Sequence, residues 1–154
     1  MVEVVVLVGC SGAGKSSWAL RWVRADPGGV RGRVNRDDLR ASLFGGQGVL
    51  SPAQERVITA VSVGSVRELL RAGFSVVVDD TNLRSAFIEP FRKLAAEFEC
   101  HFRLVVLDTP TEVCVARDAS RRRSVGEAVI REQQKRLLEL LTDEMGLAAA
   151  GGAQ

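Results

Sequence analysis

A fully apolar, β-branched run, Val4-Val5-Val6-Leu7-Val8, leads directly into Gly9-Cys10-Ser11-Gly12-Ala13-Gly14-Lys15-Ser16. The octapeptide satisfies G-x-x-x-x-G-K-[ST] at every fixed position. The run before it is short and continuous, as in a strand buried on both faces of a parallel sheet. The segment after it, Ser17 to Arg24, has the spacing of an amphipathic helix. A buried strand, a glycine loop and a helix N-terminus together define a site where backbone N–H groups converge on a phosphate. A chance glycine-rich turn would need neither flank. The residues predicted to cradle a nucleoside triphosphate are Gly9, Ser11, Gly12, Ala13, Gly14, Lys15, Ser16 and Ser17. Lys15 is placed to reach the β- and γ-phosphates, and the Ser16 hydroxyl to ligate Mg²⁺.

Strand and helix signals alternate through the rest of the chain. A short strand is expected around Arg33-Val34-Asn35, then helical segments on either side of Gly45-Gly46-Gln47-Gly48. Ser51-Pro52-Ala53-Gln54 has the make-up of a capping box with proline at the first helical position. The helix it opens should run to about Ala72 and stop at Gly73. Phe74 to Val78 and Phe102 to Leu107 read as further buried strands. Between them, a helix from about Ala86 to Phe98 puts Phe87, Phe91, Leu94 and Phe98 on one stripe, read here as core, with Pro90 disturbing its first turn. Thr109-Pro110-Thr111-Glu112 and Ser124-Val125-Gly126-Glu127 are expected to be two more capping boxes, each opening a helix. Residues 1–145 read as one domain and 146–154, rich in alanine and glycine, as a flexible tail. The expected fold is α/β, a parallel sheet of about four strands with helices on both faces. Ligands then bind beyond the carboxyl ends of the strands.

Chemistry-bearing residues gather at those ends. The second strand leads into Asn35-Arg36-Asp37-Asp38-Leu39-Arg40. Asp37 and Arg40 share one face of a helical turn. A carboxylate beside a phosphate loop can accept the proton of an attacking hydroxyl, and an arginine beside it can hold an anion on the same acceptor. Asp37 could instead cap the helix. The third strand ends in Asp79-Asp80-Thr81-Asn82. A carboxylate there serves Mg²⁺ through water or orients Arg40, and only one of the pair should enter the site. Arg117 and Arg121, four apart in a basic stretch between two helices, suit a lid that excludes water and neutralises developing charge.

Composition adds bounds. With 154 residues, 46% hydrophobic and 26% charged, the chain has the make-up of one soluble domain. No apolar run is long enough to span a membrane, and the first one ends in the phosphate loop rather than a cleavage site. Three cysteines without metal-ligand spacing read as reduced thiols in a cytoplasmic protein. A net charge of +2 says little about partners. The cations are nearly all arginines, which suit phosphate recognition but are also what a GC-rich genome would produce. The apolar helices could pack internally or between subunits of a homo-oligomer.

GCSGAGKSSW, NRDDLR, DDTNL and RDASR, in this order and spacing, resemble the kinase domain of the phage-type polynucleotide 5′-kinase family, from Met1 to about Leu141. The resemblance implies a three-layer P-loop fold, adenylate-kinase-like, with a helical lid. It implies Mg²⁺-dependent transfer of the ATP γ-phosphate to the 5′-hydroxyl end of DNA or RNA. On the matching positions, Lys15 and Ser16 would bind donor phosphates and metal, and Asp37 would be the general base. Arg40 would hold the acceptor's neighbouring phosphate with Asp80 supporting it, and Arg117 and Arg121 would act on the donor. The best-known members carry a phosphatase domain with its own aspartate motif, which this sequence lacks, so a kinase alone is expected. Two other readings fit the motifs: a small-molecule kinase acting on a nucleoside, nucleotide or antibiotic, and a nucleotide-binding module without transfer activity.

Overall fold

The computed structural model describes residues 1–46 and 48–151. Ten elements follow in the order β1 (Glu3–Val8), α1 (Lys15–Arg24), β2 (Arg31–Val34), α2 (Arg36–Phe44), α3 (Pro52–Arg71), β3 (Ser75–Val78), α4 (Ser85–Glu97), β4 (His101–Val106), α5 (Thr111–Ala119) and α6 (Glu127–Gly151). The strands form one parallel sheet ordered β2-β3-β1-β4. β1 is central, pairing Val4 with Val76 on one side and Glu3 with His101 on the other. A β-branched strand flanked on both edges and covered on both faces buries its apolar residues, and Val4 to Val8 are at most 1% exposed.

Alternation along β1 divides the interior. Val4, Val6 and Val8, with Val76 and Val78, face a large core closed by α3, α4, α5 and α6. Val5, Leu7 and Val77 face a smaller one closed by α1, through Ala19, Trp18 and Trp22. The result is the parallel α/β sheet with helices on both faces expected from the alternation of strand and helix, in the three-layer P-loop arrangement that the family resemblance implies.

The α3 capping box forms as predicted. The Ser51 hydroxyl accepts from Gln54 N at 3.2 Å, while Ser51 N donates to Gln54 Oε1 at 2.8 Å. The other two boxes do not form. Thr109 turns its hydroxyl to the carbonyl of Ala13 at 2.8 Å, leaving Pro110 at the α5 cap. Ser124 donates to Asp118 at 2.5 Å, and Ile130 N reaches back to Gly126 O. In both cases a tertiary acceptor has won over the local backbone. Helix α4 runs unbroken through Pro90, and its core residues are Ile88, Phe91, Leu94 and Ala95. Phe87, expected in that stripe, is 51% exposed. Helix α6 continues past Gly146, where a flexible tail was expected, and residues 152–154 of that tail lie outside the described residues. Among the described residues no helix is long and apolar enough to cross a membrane.

Candidate active site

The loop after β1 is held open by its carbonyls. Lys15 Nζ donates to Gly9 O at 3.0 Å and Cys10 O at 2.7 Å. Thr109 takes the Ala13 carbonyl, and Arg117 Nη1 donates to Gly12 O at 3.3 Å. Gly14 caps α1 at φ 98°, a conformation that disfavours side chains, and offers no side-chain cap. The first-turn N–H groups of α1 are therefore left for a ligand, at the positive end of the helix dipole. Burial pushes the Lys15 ammonium below its usual range, with Asp79 opposing that shift. Ser16 and Ser17 are exposed at the mouth.

A cavity of about 490 Å³ joins this loop to the ends of β2 and β3. Ser11, Gly12, Gly14, Lys15 and Ser16 line its donor side, and Asp37, Arg40, Asp79, Asp80 and Arg121 also face it. The cap of α2 is Asn35, whose side chain accepts from Asp38 N at 2.9 Å and donates to Asp79 O. Asp37 is thereby not a cap; it sits one position inside the helix with its side chain 85% exposed. Arg40 Nη1 lies 2.7 Å from Asp37 Oδ1, so the pair does share a face.

Glu55 of α3 completes this corner. It accepts from Arg40 Nε at 2.9 Å and Nη2 at 3.0 Å, a bidentate fork, and from Arg36 Nη2 at 3.0 Å. The Arg40 bonds, with those of Arg36, hold the Glu55 carboxyl below its usual range. Sequence reasoning missed Glu55 because it lies one turn inside a helix with nothing local to mark it. Among the described contacts it is Glu55, and not Asp80, that braces Arg40. Asp80 instead accepts from Arg36 N at 3.1 Å, and burial pushes its carboxyl up to about 7.

Asp79 and Asp80 do not split cleanly between faces, because β3 ends at Val78 and both line the cavity. Asp79 is 1% exposed. Its Oδ2 is held by Arg33 at 2.7 Å, while its buried Oδ1 has no partner among the described residues. Arg121 lies beyond the end of α5 rather than on the helical face with Arg117. The turn it opens is pinned by Asp118, which accepts from Ser124 Oγ, Val125 N and Gly126 N. Arg123 in that turn donates to Gly46 O, linking the turn to the α2–α3 loop. The long α6 reaches the phosphate loop too: Gln133 accepts from Ser11 N at 2.8 Å and donates to Ser11 Oγ at 3.2 Å.

A phosphate loop with its lysine at one end of a cavity, and an exposed carboxylate beside a braced arginine at the other, define a P-loop phosphotransferase. The sequence profile described as AAA domain matches residues 4–140, and the chain belongs to that family. It is 28% identical over 90% of its length to a protein named as a bifunctional polynucleotide kinase/RNA ligase from Autographa californica nuclear polyhedrosis virus, of which it spans 21%. Among solved structures it resembles a chain of the Pnkp1/Rnl/Hen1 RNA repair complex, with a TM-score of 0.80 and 29% identity, over 92% of this chain and 46% of that one. It also resembles the Mycobacterium tuberculosis APS kinase CysC in complex with AMPPNP and APS, with a TM-score of 0.61 and 27% identity, over 77% of this chain and 69% of that one. The chain spans less than half the length of the viral relative and of the RNA repair chain.

Proposed function

We propose that this protein transfers the γ-phosphate of ATP to the 5′-hydroxyl of DNA or RNA. The observation that carries the reading is the Asp37–Arg40–Glu55 corner, facing Lys15 across one cavity. An arginine fixed by two parallel bonds to a carboxylate suits an acceptor that carries its own anion next to the reacting hydroxyl, as a nucleotide 3′-phosphate does. The polynucleotide kinase/RNA ligase name of the viral relative and the likeness to a chain of the Pnkp1/Rnl/Hen1 RNA repair complex support it.

In the proposed step the 5′-oxygen attacks the γ-phosphorus in line. The bond from that phosphorus to the β–γ bridging oxygen breaks and ADP leaves. Asp37 takes the proton of the hydroxyl. Lys15 and the uncapped amides of α1 stabilise charge on the β- and γ-oxygens, and Arg121 approaches from the lid side. Ser16 and the unpartnered Oδ1 of Asp79 fit a hydrated Mg²⁺, which binds through few protein ligands. When bound, the metal neutralises phosphate charge.

Labelled ATP offered with 5′-hydroxyl DNA, 5′-hydroxyl RNA, nucleoside 3′-phosphates and nucleosides tests the reading. Transfer to the oligonucleotides is expected; transfer confined to nucleosides or other small alcohols would replace the reading with the small-molecule one. Asp37→Ala should lower kcat by roughly 10²–10⁴ with ATP affinity retained.

A further inference from the structure

We propose that the apolar wall of the cavity that also holds Arg40 is a stacking subsite for the nucleobase of the acceptor's terminal nucleotide, with Phe87 as its platform; this rests on the polynucleotide-kinase reading. Phe87 lies in the first turn of α4 and is 51% exposed, while Phe91 one turn on is 5% exposed and part of the core. Both line the cavity that holds Lys15, Asp37 and Arg40. Pro90, three residues after Phe87, lines it as well. At helical spacing its ring extends the same apolar face.

Helix α3 also lines this cavity, through Val63 and Ser62. Ser62 is 1% exposed, and its Oγ has no hydrogen-bond partner among the described residues. A helical serine ordinarily donates to the carbonyl one turn earlier. Ser65 on the same helix does so, to Val61 O at 2.7 Å. A buried hydroxyl that forgoes this bond and lines a cavity is available to the polar edge of a ligand.

The two sides of this corner differ in kind. Arg40 and Arg36 supply positive charge for a phosphate, and Phe87 with Pro90 supplies a flat apolar surface. A nucleobase has a π-face for the ring and polar edge atoms for Ser62. Stacking on an aromatic side chain tolerates any base, so the subsite selects a nucleotide without selecting its sequence.

The test uses 5′-hydroxyl oligonucleotides identical except that the terminal nucleotide carries a base or is abasic. Phe87→Ala should raise KM for the base-bearing acceptor about 5- to 140-fold, the range expected for one stacked base. It should leave the abasic acceptor and ATP unchanged, and Phe87→Trp should retain normal KM. Equal losses on both acceptors, or no loss on the base-bearing one, would overturn the subsite. If the unaltered protein phosphorylates no oligonucleotide, the kinase reading falls instead, and the subsite with it.

Discussion

Glu55 touches Arg40 and Arg36 at once, so a single carboxylate on α3 fixes the cationic edge of the acceptor corner. Glu55→Gln removes the charge but leaves one acceptor oxygen, so Arg40 loses one arm of its fork. KM for a phosphate-bearing acceptor should rise several-fold while kcat at saturation and KM for ATP hold, as steady-state kinetics with both substrates varied would record. Asp80 carries a different signature. Its carboxyl titrates near 7 in the folded protein because burial disfavours the charged form. The folded state therefore holds a proton that the unfolded chain releases near pH 4, and stability contributed by the neutral form is lost as pH rises from about 4 through about 7. Asp80→Asn should flatten that part of the stability profile and make the protein relatively more stable above pH 7. Urea midpoints across pH 4–9 would expose the difference, and parallel profiles for the two proteins would contradict it.

At the scale of elements, the phosphate loop is shaped as much by α5 as by its own glycines. A Cβ added at Gly12 would meet the Cys114 carbonyl at 2.5 Å, and φ at Gly12 is +81°. Gly12→Ala combines a backbone clash with a left-handed conformation, and the loop must move to accept it. ATP affinity should fall at least tenfold by titration calorimetry, together with a lower thermal midpoint. Strands β1 and β3, the loop and the α3 cap were legible in the sequence because each is written locally, in runs of valine, in G-x-x-x-x-G-K-S and in Ser51 to Gln54. The residues that escaped local reading answer to partners distant in the chain. Thr109 and Ser124 look like caps but serve Ala13 and Asp118. Phe87 follows a core spacing yet lies at the helix end that opens onto the cavity. Asp37 and Arg40 were readable as a pair because they sit a turn apart; Glu55, fifteen residues from Arg40, was not.

On the scale of the whole molecule, donor and acceptor halves of the site are hung on one sheet and tied together from outside it. The α6 helix grips the phosphate loop through Gln133, and the α5–α6 turn reaches the α2–α3 loop through Arg123. Nucleotide binding should therefore stabilise the domain as a unit. At an ATP–Mg²⁺ concentration 100 times its dissociation constant the expected gain is about 2.7 kcal/mol. A thermal midpoint that does not move with nucleotide would contradict this. The strand order carries a further consequence, for synthesis. β1 is made first, yet both of its neighbours, β3 and β4, come much later in the chain. While residues up to about Cys100 are emerging from the ribosome, the strand that carries the phosphate loop has at least one open edge, and its Val4-Val6-Val8 face lacks α5 and α6. The nascent protein thus acquires its ATP site only after β4 and the helices that follow it have emerged. Stalled chains that expose residues through α3 alone should fail to bind nucleotide, while those that also expose β4 and the following helices should succeed.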